Sequence, residues 1–408
     1  MEKKRTTCPV CNTGTGKAKV LLRRDFSPAA SIVPFRAYDV CACPVCGLFY
    51  AGNMEESMPL DAYYAMLSRY DGASFVLSDM VKGVYRRTAD FLEQHIEKDT
   101  RVLDIGCAFG GLLSELQQRG FLHLAGLEYV EKNCTYLEKT LQVPAHRGGL
   151  GNLPKSLAGE RFGLVILSGV LEHLFDLREA VRECKSLLAD GGRIFVLTPD
   201  VEQFPMHDDL YQEFSVEHIN YFDLASLCAL FAREGLACCG TVQDTIPMFG
   251  LAGNRYSLWG RGEGGTEETT RGAGERAMQQ YLAHGAALAE TLCRRFAKEV
   301  GEKAFYVWGA GTQTAMLVQL GILSESCILG VVDGNRNYHG RMAYGHAIEA
   351  PDVLRVKQDV PILIASQYAQ QAMTGSRGNH SRGPAVGTLT GRARARDGRE
   401  RNPGFLYG

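Results

Sequence analysis

Val102-Leu103-Asp104-Ile105-Gly106-Cys107-Ala108-Phe109-Gly110-Gly111 reads as an apolar strand running into a glycine-rich turn. The residues that follow, to 119, have the spacing of a helix. Glycine at such a turn lets backbone approach a ligand closely, and the helix start offers free N–H groups. The spacing is not the dinucleotide pattern G-x-G-x-x-G; Asp104 stands ahead of Gly106-x-x-x-Gly110 instead. A carboxylate there repels a pyrophosphate and suits a ligand with an ammonium group. The next strand ends on Glu128, where an acid can accept hydrogen bonds from both hydroxyls of a ribose.

Working outward, strands are expected at 101–106, His123–Glu128, 162–169 and 191–198, with helices at 110–119, 131–141, 177–188 and 224–234. Strands near 237–242 and 255–259 follow. This alternation argues an α/β fold: a doubly wound, mostly parallel sheet with helices on both faces. Residues 53–98 read as a helical connector, 99–260 as the main domain and 261–275, rich in Gly, Thr and charge, as a linker. A helix at 277–300 and a second β-α pattern mark a smaller C-terminal domain over 276–373. The tail, 374–408, is rich in Gly and Arg and reads as disordered or as the product of a frameshift.

Composition bounds the function. The 408 residues carry 44 basic and 46 acidic side chains, a net charge of −2, which excludes a generally basic nucleic-acid binder. Apolar residues make up 45%, yet no run approaches the ~20 needed to span a bilayer. The first residues lack a signal peptide's apolar stretch, so a cytoplasmic protein acting on a small molecule, with no membrane partner, is expected.

Five of the thirteen cysteines fall between Cys8 and Cys46. Cys8-Pro-Val-Cys11 and Cys43-Pro-Val-Cys46-Gly47 form two C-x-x-C knuckles, leaving Cys41 as a spare. Two such pairs suit one tetrahedral zinc, so residues 1–52 read as a structural zinc-binding module with Cys8, Cys11, Cys43 and Cys46 as ligands. Four free thiols in an arm are the alternative.

The VLDIGCAFGG motif followed by an acid resembles the class I S-adenosylmethionine-dependent methyltransferases. The resemblance implies a Rossmann-like sheet that binds this donor through Asp104, Gly106, Cys107, Gly110 and Glu128, with Ser168 at the end of the fourth strand and Leu150 flanking the base. The fourth strand continues into Val170-Leu171-Glu172-His173-Leu174, common across that superfamily. More specific is Glu213-Phe-Ser-Val-Glu217-His218-Ile-Asn-Tyr-Phe222, where a Glu beside a His can make the imidazole a base near neutral pH.

The order of four-cysteine module, methyltransferase domain with Glu-His-x-x-Tyr-Phe, and second Rossmann-like domain opening in WGAGTQT resembles the sugar C-methyltransferases that act on nucleotide-linked keto-deoxysugars. The similarity covers about residues 8–370. It implies His218 as the base that forms an enolate, Glu217 as its partner and His173 in support. Ser215 and Val216 stand where that family usually carries a Tyr-His pair, which leaves the acceptor open, including O or N acceptors. The helical stretch with Tyr63, Tyr64 and Tyr70 can supply a phenol. In the C-terminal domain, Gly309, Gly311 and Asp333 approximate a dinucleotide fingerprint; the resemblance assigns them to the substrate's nucleotide. A nicotinamide-dependent oxidoreductase and a non-catalytic zinc-bearing binding protein are the alternatives.

Overall fold

The computed structural model describes residues 5–66, 79–246, 252–262, 272–356, 360–365 and 386–388. Three sheets organise them. The first is antiparallel: β1 (Lys19–Asp25), β2 (Phe35–Ala42) and β3 (Phe49–Glu56), closed by β9 (Asn220–Tyr221), which comes from far along the chain and pairs with β3. The sheet therefore runs four residues past the expected end of the N-terminal module at 52. α1 (Leu60–Met66) and α2 (Asp79–Glu93) follow. Arg69 to Asp71, with Tyr70, lie outside the described residues.

The central sheet holds seven strands: β4 (Arg101–Ile105), β5 (His123–Glu128), β6 (Ala145–Arg147), β7 (Phe162–Ser168), β8 (Leu188–Pro199), β10 (Leu236–Ile246) and β11 (Ala252–Arg261). Their order is β10-β11-β8-β7-β4-β5-β6, parallel except for β11, which is antiparallel to both neighbours. Period-2 alternation explains the burial of both faces. Leu103, Ile105, Val165, Leu167, Ile194 and Val196 enter one core, and Val102, Leu164, Ile166, Phe195 and Leu197 the other. α3 (Gly111–Gln118), α4 (Glu131–Tyr136), α5 (Leu177–Ser186) and α6 (Leu224–Ala232) supply the helical layers. α6 starts on a capping box in which Asp223 and Ser226 satisfy each other's backbone N–H groups.

α7 (Ala273–Glu299) leads to a third sheet of β12 (Phe305–Trp308), β13 (Ile328–Val332), β14 (Met342–Ala343), β15 (His346–Glu349), β16 (Ile362–Ile364) and β17 (Val386–Thr388). The order is β14-β15-β13-β12-β16-β17, and only β14 is antiparallel. α8 (Thr312–Gln319) follows β12.

Several elements depart from the expectations. β6 has the sequence Ala-His-Arg and offers no apolar run to detect. The helix expected over 131–141 changes to a π turn at Leu137–Leu141. α7 begins inside the stretch read as linker, because Gly272 and Gly274 weaken the helix signal there. Gly274 is needed for contact: a Cβ would lie 2.1 Å from the Asp223 carboxylate. Residues 263–271 and the end of the expected C-terminal domain, 366–373, lie outside the described residues. Within 374–408, Val386–Thr388 forms a strand on β16, where no period was read; the rest of that tail also lies outside them. Among the described residues, no helix is long and apolar enough to cross a membrane.

Candidate active site

The first glycine turn sits at the carboxyl ends of β4 and β5, where open α/β sheets bind ligands. Gly106 (φ 70°), Ala108 (φ 48°) and Gly110 (φ 81°) all have left-handed backbone. A Cβ on Gly110 would meet Leu137 Cδ2 at 2.7 Å and Leu141 Cδ1 at 2.8 Å, so glycine is required for both conformation and space. A Cβ on Gly106 would lie 3.0 Å from Val170, which brings the turn against the loop that follows β7.

The Glu128 carboxylate accepts from the backbone N–H of Ala108 (2.9 Å) and of Val130 (2.8 Å), pinning the turn to β5. Burial raises the Glu128 pKa, and those N–H groups offset part of the rise. Asp104 is buried, and no cation faces it among the described residues. Burial first, and repulsion from Glu128 second, push it up to about 8. The two acids thus share one low-dielectric corner that favours an incoming cation. Cys107 is placed differently from a cleft-facing ligand contact: its sulfur packs towards Gly126, where a Cβ would meet it at 2.6 Å. Leu150 packs at the edge of the core, and the exposed Tyr129 ring lies over Gly149 beside it.

Ser168 ends β7, and the loop beyond it carries Glu172 and His173. The structure brings His173 to His218, their rings 4.9 Å apart and edge to face. His173 Nδ1 is 3.1 Å from the carbonyl of Glu217 and 3.3 Å from the Tyr64 hydroxyl. Burial lowers the His173 pKa, favouring neutral imidazole. Tyr63 donates to Glu217 Oε1 at 2.7 Å, and burial followed by that carboxylate's charge raises its phenol well above the ordinary value. The phenols of α1 therefore reach both halves of the cluster. Sequence reasoning named these tyrosines without choosing among them, because helical spacing cannot tell which of several aromatics turns inward.

At the N-terminus, the sulfurs of Cys8, Cys11, Cys43 and Cys46 all lie within 4.8 Å of one another, with Cys8–Cys46 at 3.5 Å and Cys11–Cys43 at 3.4 Å. Four sulfurs about 2.3 Å from one tetrahedral ion stand about 3.8 Å apart, so this donor set fits zinc. The knuckles match each other: Asn12 (φ 60°) and Gly47 (φ 77°) follow the second cysteine of each pair and donate back to Cys8 and Cys43.

The C-terminal sheet repeats the geometry of the first glycine turn. Gly309 N–H donates to Val332 O at 2.8 Å, as Gly106 N–H does to Leu127 O at 2.8 Å. The Asp333 carboxylate accepts from Ala310 N–H (2.8 Å) and Asn335 N–H (2.8 Å), as Glu128 accepts from its own turn. A Cβ on Gly311 would meet nothing within 4 Å, so the mouth of this turn is open.

A family model described as a methyltransferase domain matches residues 79–239. Over 108 residues the chain is 36% identical to the ubiquinone biosynthesis O-methyltransferase of Parvibaculum lavamentivorans, covering 25% of this chain and 41% of that protein. Over 157 residues it is 29% identical to a probable S-adenosylmethionine-dependent methyltransferase of Mycolicibacterium smegmatis, 37% of this chain and 56% of that one. The chain thus spans about half the length, or less, of these curated relatives. Among solved structures, the magnesium protoporphyrin IX methyltransferase of Synechocystis with bound SAH aligns with a TM-score of 0.37 and 15% identity, over 50% of this chain and 94% of that one. The family match places a methyltransferase domain within residues 79–239, the stretch that holds β4 to β8 of the central sheet.

Proposed function

We propose that the whole chain transfers a methyl group from S-adenosylmethionine to a small-molecule acceptor that must first lose a proton. The observation that carries this reading is the His173–His218–Glu217 cluster, held by two tyrosines beside the loop that touches Gly106. A sulfonium needs little help to release its methyl group, and the protein's work is to align the partners and exclude water. Asp104 offers its carboxylate to the donor's ammonium, the Gly106–Gly110 turn gives space, and Glu128 meets the ribose. A base is needed only where the acceptor is a weak acid.

On the acceptor side His218 takes the proton, Glu217 orients it, and His173 with Tyr64 and Tyr63 lines the pocket. For a nucleotide-linked keto-sugar the proton leaves the carbon beside the ketone. The enolate carbon then bonds the methyl as the C–S bond breaks. Phenols from α1 offer the hydrogen bonding that a Tyr-His pair would supply at 215 and 216, where Ser215 Oγ instead accepts from the backbone N–H groups of Glu217 and His218. In this reading the zinc at Cys8, Cys11, Cys43 and Cys46 is structural, and the C-terminal sheet is a second Rossmann-like domain. There Gly309, Gly311 and Asp333 receive the acceptor's nucleotide. A second reading, methylation of a hydroxyl, is favoured by the relatives that are O-methyltransferases.

The test is a panel of nucleotide-linked keto-sugars and phenols incubated with isotopically labelled donor and read by mass spectrometry. Methyl transfer to a sugar carbon supports the first reading and transfer to oxygen the second. No transfer to any member, or NADH binding in place of the donor by calorimetry, overturns both. His218→Ala is expected to leave donor affinity within about twofold and to lower turnover by about a hundredfold or more.

A further inference from the structure

We infer that the N-terminal module is a clamp that fixes the loop bearing Glu217 and His218, with Arg5 and Arg24 as its positioning residues. The inference rests on the reading that this loop faces the acceptor, and it assigns the module a task beyond holding a metal.

Arg5 and Arg24 are 3% and 0% exposed, and among the described residues neither forms an ion pair within 4.0 Å, although the charge of Asp176 reaches Arg5. A buried guanidinium without a carboxylate is costly unless its N–H groups are spent on other acceptors. Arg5 spends most of them on backbone carbonyls of the two acceptor-side loops, and Arg24 spends one there. Arg5 Nη1 donates to Ile219 O (3.1 Å) and Asn220 Oδ1 (2.9 Å), while its Nη2 donates to Leu174 O (3.0 Å) and Phe175 O (2.7 Å). It therefore joins the segment just after His173 to the segment just after His218. Arg24 Nε donates to Phe214 O at 2.9 Å, on the other side of the same loop.

The sheet completes the grip. Tyr38 donates to Ser215 O at 2.7 Å, Tyr221 to His218 O at 2.8 Å, and Ala51 N–H to Ile219 O at 2.9 Å. The carbonyls of 214, 215, 218 and 219 are each held, and that of 217 meets His173. Tyr221 and Asn220 belong to β9, which is a strand only because β3 pairs with it. Arg24 also reaches Gln319 of α8 at 3.1 Å, so the same residue links the loop to the helix that leaves the second glycine turn. Together Arg5, Arg24 and the two tyrosines hold backbone on both sides of Glu217 and His218, and so set that pair's position.

The experiment uses the full chain and needs no acceptor. Histidine carbethoxylation by diethyl pyrocarbonate is read peptide by peptide by mass spectrometry, with the exposed His123 as internal reference. Donor affinity and melting temperature are measured on the same samples. Arg24→Met and Arg5→Met are expected to speed modification of His218 by about threefold or more, with donor affinity kept within about twofold. Tyr38→Phe deletes one hydrogen bond and carries the same expectation, so it decides the matter if either arginine variant fails to fold. Leu230→Ala, in the core under α6, controls for general destabilisation and is expected to lower the melting temperature without changing the ratio of His218 to His123 rates. An unchanged His218 rate in all folded clamp variants overturns the clamp. So does a rise in Leu230→Ala that matches theirs, or a loss of donor affinity in step with the rate. Failure of the unaltered chain to bind donor refutes the methyl-transfer reading instead, and the histidine rates still judge the clamp.

Discussion

Asp104 keeps a carboxyl where water cannot reach, and its pKa of about 8 follows from burial and from Glu128. In the unfolded chain the same group titrates near 4. The folded protein without donor therefore holds a proton that the unfolded chain releases. Its stability from this group falls as pH rises from about 4 to about 8, and levels off above. A donor with an ammonium group reverses the preference, because it stabilises the carboxylate. Binding near neutral pH should thus release a proton. Calorimetry in buffers of different ionisation enthalpy should show that release, and donor affinity should rise from pH 6 to pH 9. Asp104→Asn should remove both effects and weaken binding by about tenfold or more. A pH-independent affinity in the unaltered protein would count against the role.

At the scale of elements, α1 and the loop from Asp200 to Phe222 meet at one hydrogen bond, Tyr63 to Glu217 at 2.7 Å. Tyr63 is buried and its phenol stays protonated well beyond the ordinary range, so it remains a donor. Tyr63→Phe should free Glu217 and lower turnover by about tenfold, the effect of one hydrogen bond, with little change in donor affinity. Steady-state kinetics beside donor calorimetry separates the two. This contact also shows where reading the sequence stops. The strand–turn–helix at Asp104–Gly111 and the acid at Glu128 were legible, because glycine spacing and a local apolar run carry the signal. Glu217 and His218 stood out because two ionisable groups lie side by side among aromatics. Arg5 and Arg24 carried no such mark; each sits beside other basic residues, Lys3 and Lys4 or Arg23, and its burial depends on contacts more than 160 positions away. β9 was hidden for the same reason, since two residues have no period until β3 lies beside them.

Across the whole molecule, two of the apolar clusters run from one sheet to another. Cys8, Val10, Leu48 and Tyr50 of the N-terminal module share one apolar cluster with Leu103 and Val165 of the central sheet and with Phe222, just past β9. A second cluster joins Phe26 and Tyr38 of the module to Phe214 on the loop, Tyr281 on α7 and Met316 on α8. Their sequence order was readable, but this sharing was not, because apolar residues do not name their partners. The arrangement bears directly on the four thiols. If zinc closes the knuckles, it stabilises the arm from which Arg5 reaches the acceptor side, since Arg5 lies three positions before Cys8. Purified protein should then contain one zinc per chain, and Cys11→Ser should lower that content and the melting temperature by several degrees, a fraction of what zinc supplies to small domains that fold only with metal. Because Asp104 and Glu128 stand on strands built by the central sheet's own core, donor affinity should fall less than melting temperature does. A fully folded preparation without zinc would reject the metal assignment. Equal losses of donor affinity and zinc would show instead that the knuckles support the entire sheet and not the acceptor side alone.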